Sequence, residues 1–146
     1  MVVIAAVDRS ERAKRAATEA VQLAKAFDET VHVVHVIKKS EFLELERAEV
    51  TKSGRAVEMD RIREHAAGLA KDVSSDAVGD ADVDVEYVGL VGDVADRVVN
   101  YAADQDARYI VVGPRRRSPT GKVLFGSSSQ EILLNADRPV VVTMSE

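Results

Sequence analysis

Residues 1–27 read Met1-Val2-Val3-Ile4-Ala5-Ala6-Val7-Asp8-Arg9-Ser10-Glu11-Arg12-Ala13-Lys14-Arg15-Ala16-Ala17-Thr18-Glu19-Ala20-Val21-Gln22-Leu23-Ala24-Lys25-Ala26-Phe27. An apolar run stops at Asp8, and from about Ser10 the apolar residues Ala13, Ala16, Ala17, Ala20, Val21, Ala24 and Phe27 fall on one helical stripe. A strand therefore feeds a helix whose small side chains let it lie close against a sheet. The same unit recurs along the chain. Further Val/Ile-rich runs lie at Val31–Ile37, Val83–Val88, Tyr109–Val112 and Val140–Thr143. Helical periodicity fills the gaps, from Arg55 to Val73, from Asp93 (a candidate N-cap), and from Ser127, where Ser127-Ser128-Ser129-Gln130 reads as a capping box, to just before Pro139.

Strands separated by helices imply an α/β fold with a parallel sheet and right-handed crossovers, helices covering both faces. The runs around Val3 and Val111 are nearly all apolar, as central strands are. In the third run Asp82, Asp84 and Glu86 alternate with Val83, Val85 and Tyr87, which marks an edge strand with one wet face. These features give a five-stranded, doubly wound sheet of order 3-2-1-4-5, one domain over residues 1–146. The switch point lies between the first and fourth strands, and ligands of such sheets bind outside the carboxyl ends of the strands there. Residues 38–54 do not fit the alternation and read either as a surface excursion, the favoured reading, or as a lid or partner contact.

Composition removes several classes of function. The chain has no cysteine, which excludes disulfides, thiolate catalysis and Cys-ligated metal sites and suits a reducing compartment. A net charge of −5 argues against non-specific binding to nucleic acid or anionic membrane. The apolar N-terminal run lacks a basic leader, and no run approaches the ~20 residues that span a bilayer. The expectation is a cytoplasmic protein.

Two loops meet at the switch point. In Asp8-Arg9-Ser10, the Asp8 carboxylate either accepts hydrogen bonds from a ribose or base edge or caps the first helix, with Ser10 competing. The other loop runs Gly113-Pro114-Arg115-Arg116-Arg117-Ser118-Pro119-Thr120-Gly121-Lys122-Val123-Leu124-Phe125-Gly126-Ser127-Ser128-Ser129. Its glycines, arginines and serine-rich helix start suit a phosphate, held by backbone N–H groups and the positive end of a helix. A capped helix behind a solvated basic loop reads the same residues equally well.

This loop resembles the Gly-x2-Gly-x9-Gly-[Ser/Thr] nucleotide motif of the universal stress protein family, with Gly113, position 116, Gly126 and Ser127 on its spacing. The resemblance extends to Val7, Asp8 and Ser10, to His35-Val36-Ile37, to the Gly92 turn and to Arg138-Pro139-Val140-Val141-Val142. It implies a Rossmann-like domain, a homodimer paired through strand 139–144, and ATP, with Mg2+, as ligand. Adenine would lie near Ala6, Asp8 and Val36, and phosphates on Gly113, Arg115, Arg116, Gly126, Ser127 and Ser128. The chain departs from the motif at Arg116, where ATP-binding members carry glycine. The arginine must hold its Cβ away from the phosphates or turn its guanidinium onto them.

Other chemistry is not visible. Gly121-Lys122-Val123 lacks the Ser/Thr of a P-loop, and no Gly-x-Ser-x-Gly elbow occurs. His32 and His35, three apart on a strand, fall on opposite faces and make a poor metal pair. The sequence favours a stress-response nucleotide-binding module. A dimeric adaptor without nucleotide ranks next, and a slow ATPase last, because no catalytic base accompanies the motif.

Overall fold

In a computed structural model the structure describes residues 1–53, 58–79, 81–113, 116–117, 123–124 and 126–144, the side chains at 52, 53, 116, 117, 123 and 124 excepted. The chain runs β1 (Val2–Ala6), α1 (Ala13–Phe27), β2 (Thr30–Ile37), α2 (Lys39–Ser53), α3 (Met59–Val78), β3 (Val85–Val91), α4 (Val94–Asp104) and β4 (Ala107–Val112). It then forms β5 (Arg116–Arg117), β6 (Val123–Leu124), α5 (Ser127–Asn135) and β7 (Val140–Val142). Five strands make one sheet in the order β3-β2-β1-β4-β7, every neighbour parallel. This is the expected 3-2-1-4-5 order. The short β5 and β6 form a separate antiparallel ribbon inside the loop after β4.

Alternation along each strand sends successive side chains to opposite faces. Val3, Ala5, Val7, Val31, Val33 and Val111 meet the alanine stripe of α1 together with Ala70 of α3. Ile4, Val34, Val36, Ile110 and Val112 meet Ala95, Val98 and Ala102 of α4 and Ile132 of α5. The central residues Val3, Ile4, Ala5, Val31, Ile110 and Val111 are fully buried. Each such valine or isoleucine contributes about 1.5–3 kcal/mol relative to exposure. At the edge, Asp84 and Glu86 remain exposed, as the charge alternation of this strand requires.

Several boundaries differ from the sequence reading. The link before α1 is a turn, with Ala13 N–H donating to Ser10 O at 3.1 Å, and the helix starts at Ala13 rather than Ser10. Phe27, expected on the buried stripe, is 42% exposed, with the Arg108 guanidinium 4.5 Å above its ring. The stretch expected as a surface excursion does lie on the surface, but as a regular element. Lys39–Ser53 form α2, rich in strong helix formers, and its Phe42 and Leu45 pack on Ile37, Ile62 and Ala66. The third helix persists to Val78, and the expected start at Arg55 with inward Val57 lies outside the described residues. Asp93 caps α4 as expected, its carboxylate accepting Asp96 N–H at 3.0 Å.

One polar cluster interrupts the apolar face toward α4. His32 is 5% exposed, with Nδ1 2.6 Å from the Tyr101 hydroxyl and Nε2 3.1 Å from Glu86 Oε2. A carboxylate only accepts, so neutral His32 donates from Nε2 and takes the tyrosine proton on Nδ1. Burial lowers the His32 pKa below 6.5, opposed by Glu86, and pushes Tyr101 up to about 12. In the unfolded chain His32 takes up a proton first, so stability falls as pH drops below 6.5 and levels off once the folded-state value is passed. We expect His32→Gln to flatten the urea-midpoint profile between neutral pH and about pH 5. An unchanged profile would assign the acid sensitivity to another group.

Candidate functional site

A cleft of about 420 Å³ opens at the carboxyl ends of β1, β2 and β4, at the switch point of the sheet. Its apolar floor comes from one face of the sheet and the helices over it: Ala6, Val36, Val98, Val112 and Ile132. Asp8 stands at its rim, where Asp8 Oδ1 accepts both Ser10 N–H at 2.8 Å and Ser10 Oγ–H at 2.5 Å. The carboxylate thus closes a local turn rather than capping α1, whose N-cap is Arg12.

The opposite wall is the start of α5. Gly126 is its N-cap, extended at φ −67° and ψ 157°, and among the described residues no side chain caps it, so the expected Ser127 capping box does not form. Gly126 holds the cap position, which puts Ser127 inside the helix and takes its hydroxyl off the capping duty. An end without a side-chain cap leaves its first N–H groups for water or a ligand. Ser129 is otherwise occupied, its hydroxyl donating to Gly113 O at 3.0 Å and tying α5 to the end of β4.

Of the residues expected from sequence, Ala6, Asp8, Val36, Gly113, Gly126, Ser127 and Ser128 all line this one cleft. Arg115 lies outside the described residues, and the Arg116 backbone belongs to β5 while its side chain is not described. Sequence reasoning missed Arg9, Arg12 and Lys38, which bring positive charge to the rim, and Glu41, whose Oε2 takes Arg9 Nη2 at 2.9 Å. Arg9 adjoins Asp8 in the same loop, a signal that was available. Glu41 reaches the rim only because residues 39–53 are helical. His35 was weighed as a metal ligand and as part of the family pattern His35-Val36-Ile37, with no role at the site, yet it lines the cleft and bonds to the chain at Val7.

A doubly wound parallel sheet with its cleft at the switch point defines the class of open α/β proteins that take ligands at their strand ends. A family model described as the universal stress protein family matches residues 1–143. Universal stress protein MJ0531 of Methanocaldococcus jannaschii is 26% identical over 140 residues, covering 96% of this chain and 79% of that protein. A universal stress protein structure from Archaeoglobus fulgidus is similar with a TM-score of 0.64 at 28% identity, covering 97% of both chains. The universal stress protein from Archaeoglobus fulgidus in complex with dAMP gives a TM-score of 0.64 at 24% identity over 97% of this chain and 96% of that one. The chain belongs to the universal stress protein family.

Proposed function

We propose that the protein is a cytoplasmic stress-response module, one domain over residues 1–146, that binds an adenine nucleotide, ATP with Mg2+, in the switch-point cleft. The observation that carries this reading is the joining of two unlike walls in one cleft. Ala6, Val36 and Val98 offer a flat apolar floor for a base, while the uncapped start of α5 at Ser127 and Ser128 offers donors to an anion. The cleft volume lies within the roughly 300–1,000 Å³ usual for small-ligand sites. The relative in complex with dAMP supports a nucleotide in this fold. Among the described residues no helix is long and apolar enough to cross a membrane.

Calorimetric titration with Mg-ATP, with NAD as control, tests the reading. Heat with ATP and none with NAD is expected, and no heat at millimolar ATP would reject it. In the same titration Arg116 is proposed as a phosphate ligand, so Arg116→Ala should weaken ATP by about 1.5–3 kcal/mol. Tighter binding in both Arg116→Ala and Arg116→Gly would mean that the arginine obstructs the phosphates. We also propose a homodimer paired through strand 139–144. Its support is the position of β7 at the open edge of the sheet, and it underlies the adaptor reading, in which the dimer surface is the functional part.

A further inference from the structure

We propose that His35 is a positioning residue of the cleft, fixing the Val7–Asp8 peptide so that Asp8 meets a ligand with its amide as well as its carboxylate. This deepens the nucleotide reading and rests on it for its ligand. The chain turns away from the sheet just past the end of β1, between Val7 and Asp8. Val7 N–H donates to Val34 O at 2.9 Å, and the Val7 carbonyl lies 2.9 Å from His35 Nδ1. A carbonyl only accepts, so Nδ1 carries the proton and donates. Among the described residues no peptide is cis, and a trans peptide is planar with its C=O and the following N–H on opposite sides. Holding the Val7 carbonyl toward β2 therefore turns the Asp8 N–H toward β4, where the switch-point crevice opens.

Packing gives no reason for a histidine at this position. Its neighbours along β2, Val33, Val34, Val36 and Ile37, are all buried and apolar, and His35 itself is 7% exposed. Its Nε2 is buried with no hydrogen-bond partner among the described residues. A buried polar atom left unpaired is unfavourable, so an aliphatic side chain would serve a purely packing role better. What the imidazole adds is the bond to Val7. The opposite wall repeats the device, with the Gly113 carbonyl at the end of β4 held by Ser129 Oγ at 3.0 Å. Both strand-end carbonyls beside the crevice are thus tied to side chains, and a carbonyl so engaged is less available to oppose an anionic ligand.

Two measurements on the full chain decide it. The first is ligand-free: ring 15N shifts of His35 should report a proton on Nδ1, and a ring protonated on Nε2 alone would overturn the proposal whether or not any nucleotide binds. The second is titration with Mg-ATP. His35→Leu should weaken binding about tenfold, equivalent to about 1.4 kcal/mol. His35→Asn, whose amide keeps a donor near the Nδ1 position, should restore affinity to within about threefold of the unaltered protein. Equal losses in the Leu and Asn variants would make His35 a structural residue only. If the unaltered protein takes up no ATP, the nucleotide reading fails, and the tautomer alone judges His35.

Discussion

Gly89→Ala is expected to destabilise the fold by about 3 kcal/mol, the upper end of what one added methyl does in a packed core. Gly89 lies on β3 directly beneath α3. A Cβ built there would stand 2.0 Å from Arg63 O, 2.5 Å from Ala67 N and 2.7 Å from Ala66 Cβ. Two of these atoms are helix backbone, so no side-chain rotation relieves the clash, and α3 must lift from the sheet. The same helix buries Ile62, Ala66 and Ala70, and lifting it opens that contact as well. Gly68 on α3 is the control: nothing lies within 4 Å of its Cβ position. Gly68→Ala should therefore stabilise by about 0.8–1 kcal/mol, through helix propensity alone. Opposite shifts of the urea midpoint in the two variants are the expected result. A Gly89→Ala protein as stable as the unaltered chain would mean that α3 does not seat on β3 as described.

What the sequence conveys about this molecule follows from how local each signal is. Strand order was readable because the apolar runs at Val3 and Val111 differ from the charge-alternating run at Asp84 and Glu86, and that difference separates centre from edge. The cleft was readable because topology alone brings the loops after Val7 and Val112 together. Residues 39–53 were misread for a physical reason. Their stripe buries only partly, through Phe42 and Leu45, while Leu43 and Val50 stay exposed, so no clean amphipathic period marks the helix. At α5 three serines compete for the cap, and local pattern does not reveal that Gly126 takes it. The roles of His35 and Ser129 depend on backbone carbonyls 28 and 16 residues away, contacts that no short-range pattern encodes.

Val142→Pro is expected to weaken the proposed dimer about thirtyfold while leaving the subunit folded. Strand β7 closes one edge of the sheet, and its pairing with β4 fixes which of its backbone groups face outward. Ile110 N–H donates to Pro139 O at 3.0 Å and Thr143 N–H donates to Val112 O at 2.9 Å. Alternation then turns Pro139, Val141 and Thr143 toward β4 and leaves the N–H and C=O of Val140 and Val142 at the open edge. The side chains allow no gentler probe. Val141 packs on the α1 side and Val140 and Val142 on the α4 side, so lysine at 141 or 142 would disturb the core rather than the edge alone. Proline at 142 stays apolar, spares the bonds to β4 and removes one outward donor from each subunit. Two lost hydrogen bonds about a twofold axis amount to about 2 kcal/mol, or about thirtyfold in the dissociation constant. Arg138 anchors the start of the strand independently, through Asp106 Oδ1 at 2.6 Å and Ala107 O at 3.2 Å, so the sheet should survive the change. Sedimentation of both proteins over a concentration series from nanomolar to micromolar, with circular dichroism as the check on folding, is the measurement. An unaltered chain that sediments as a monomer at micromolar concentration ends the dimer proposal, and a Val142→Pro variant with the parent's dissociation constant moves the interface away from β7.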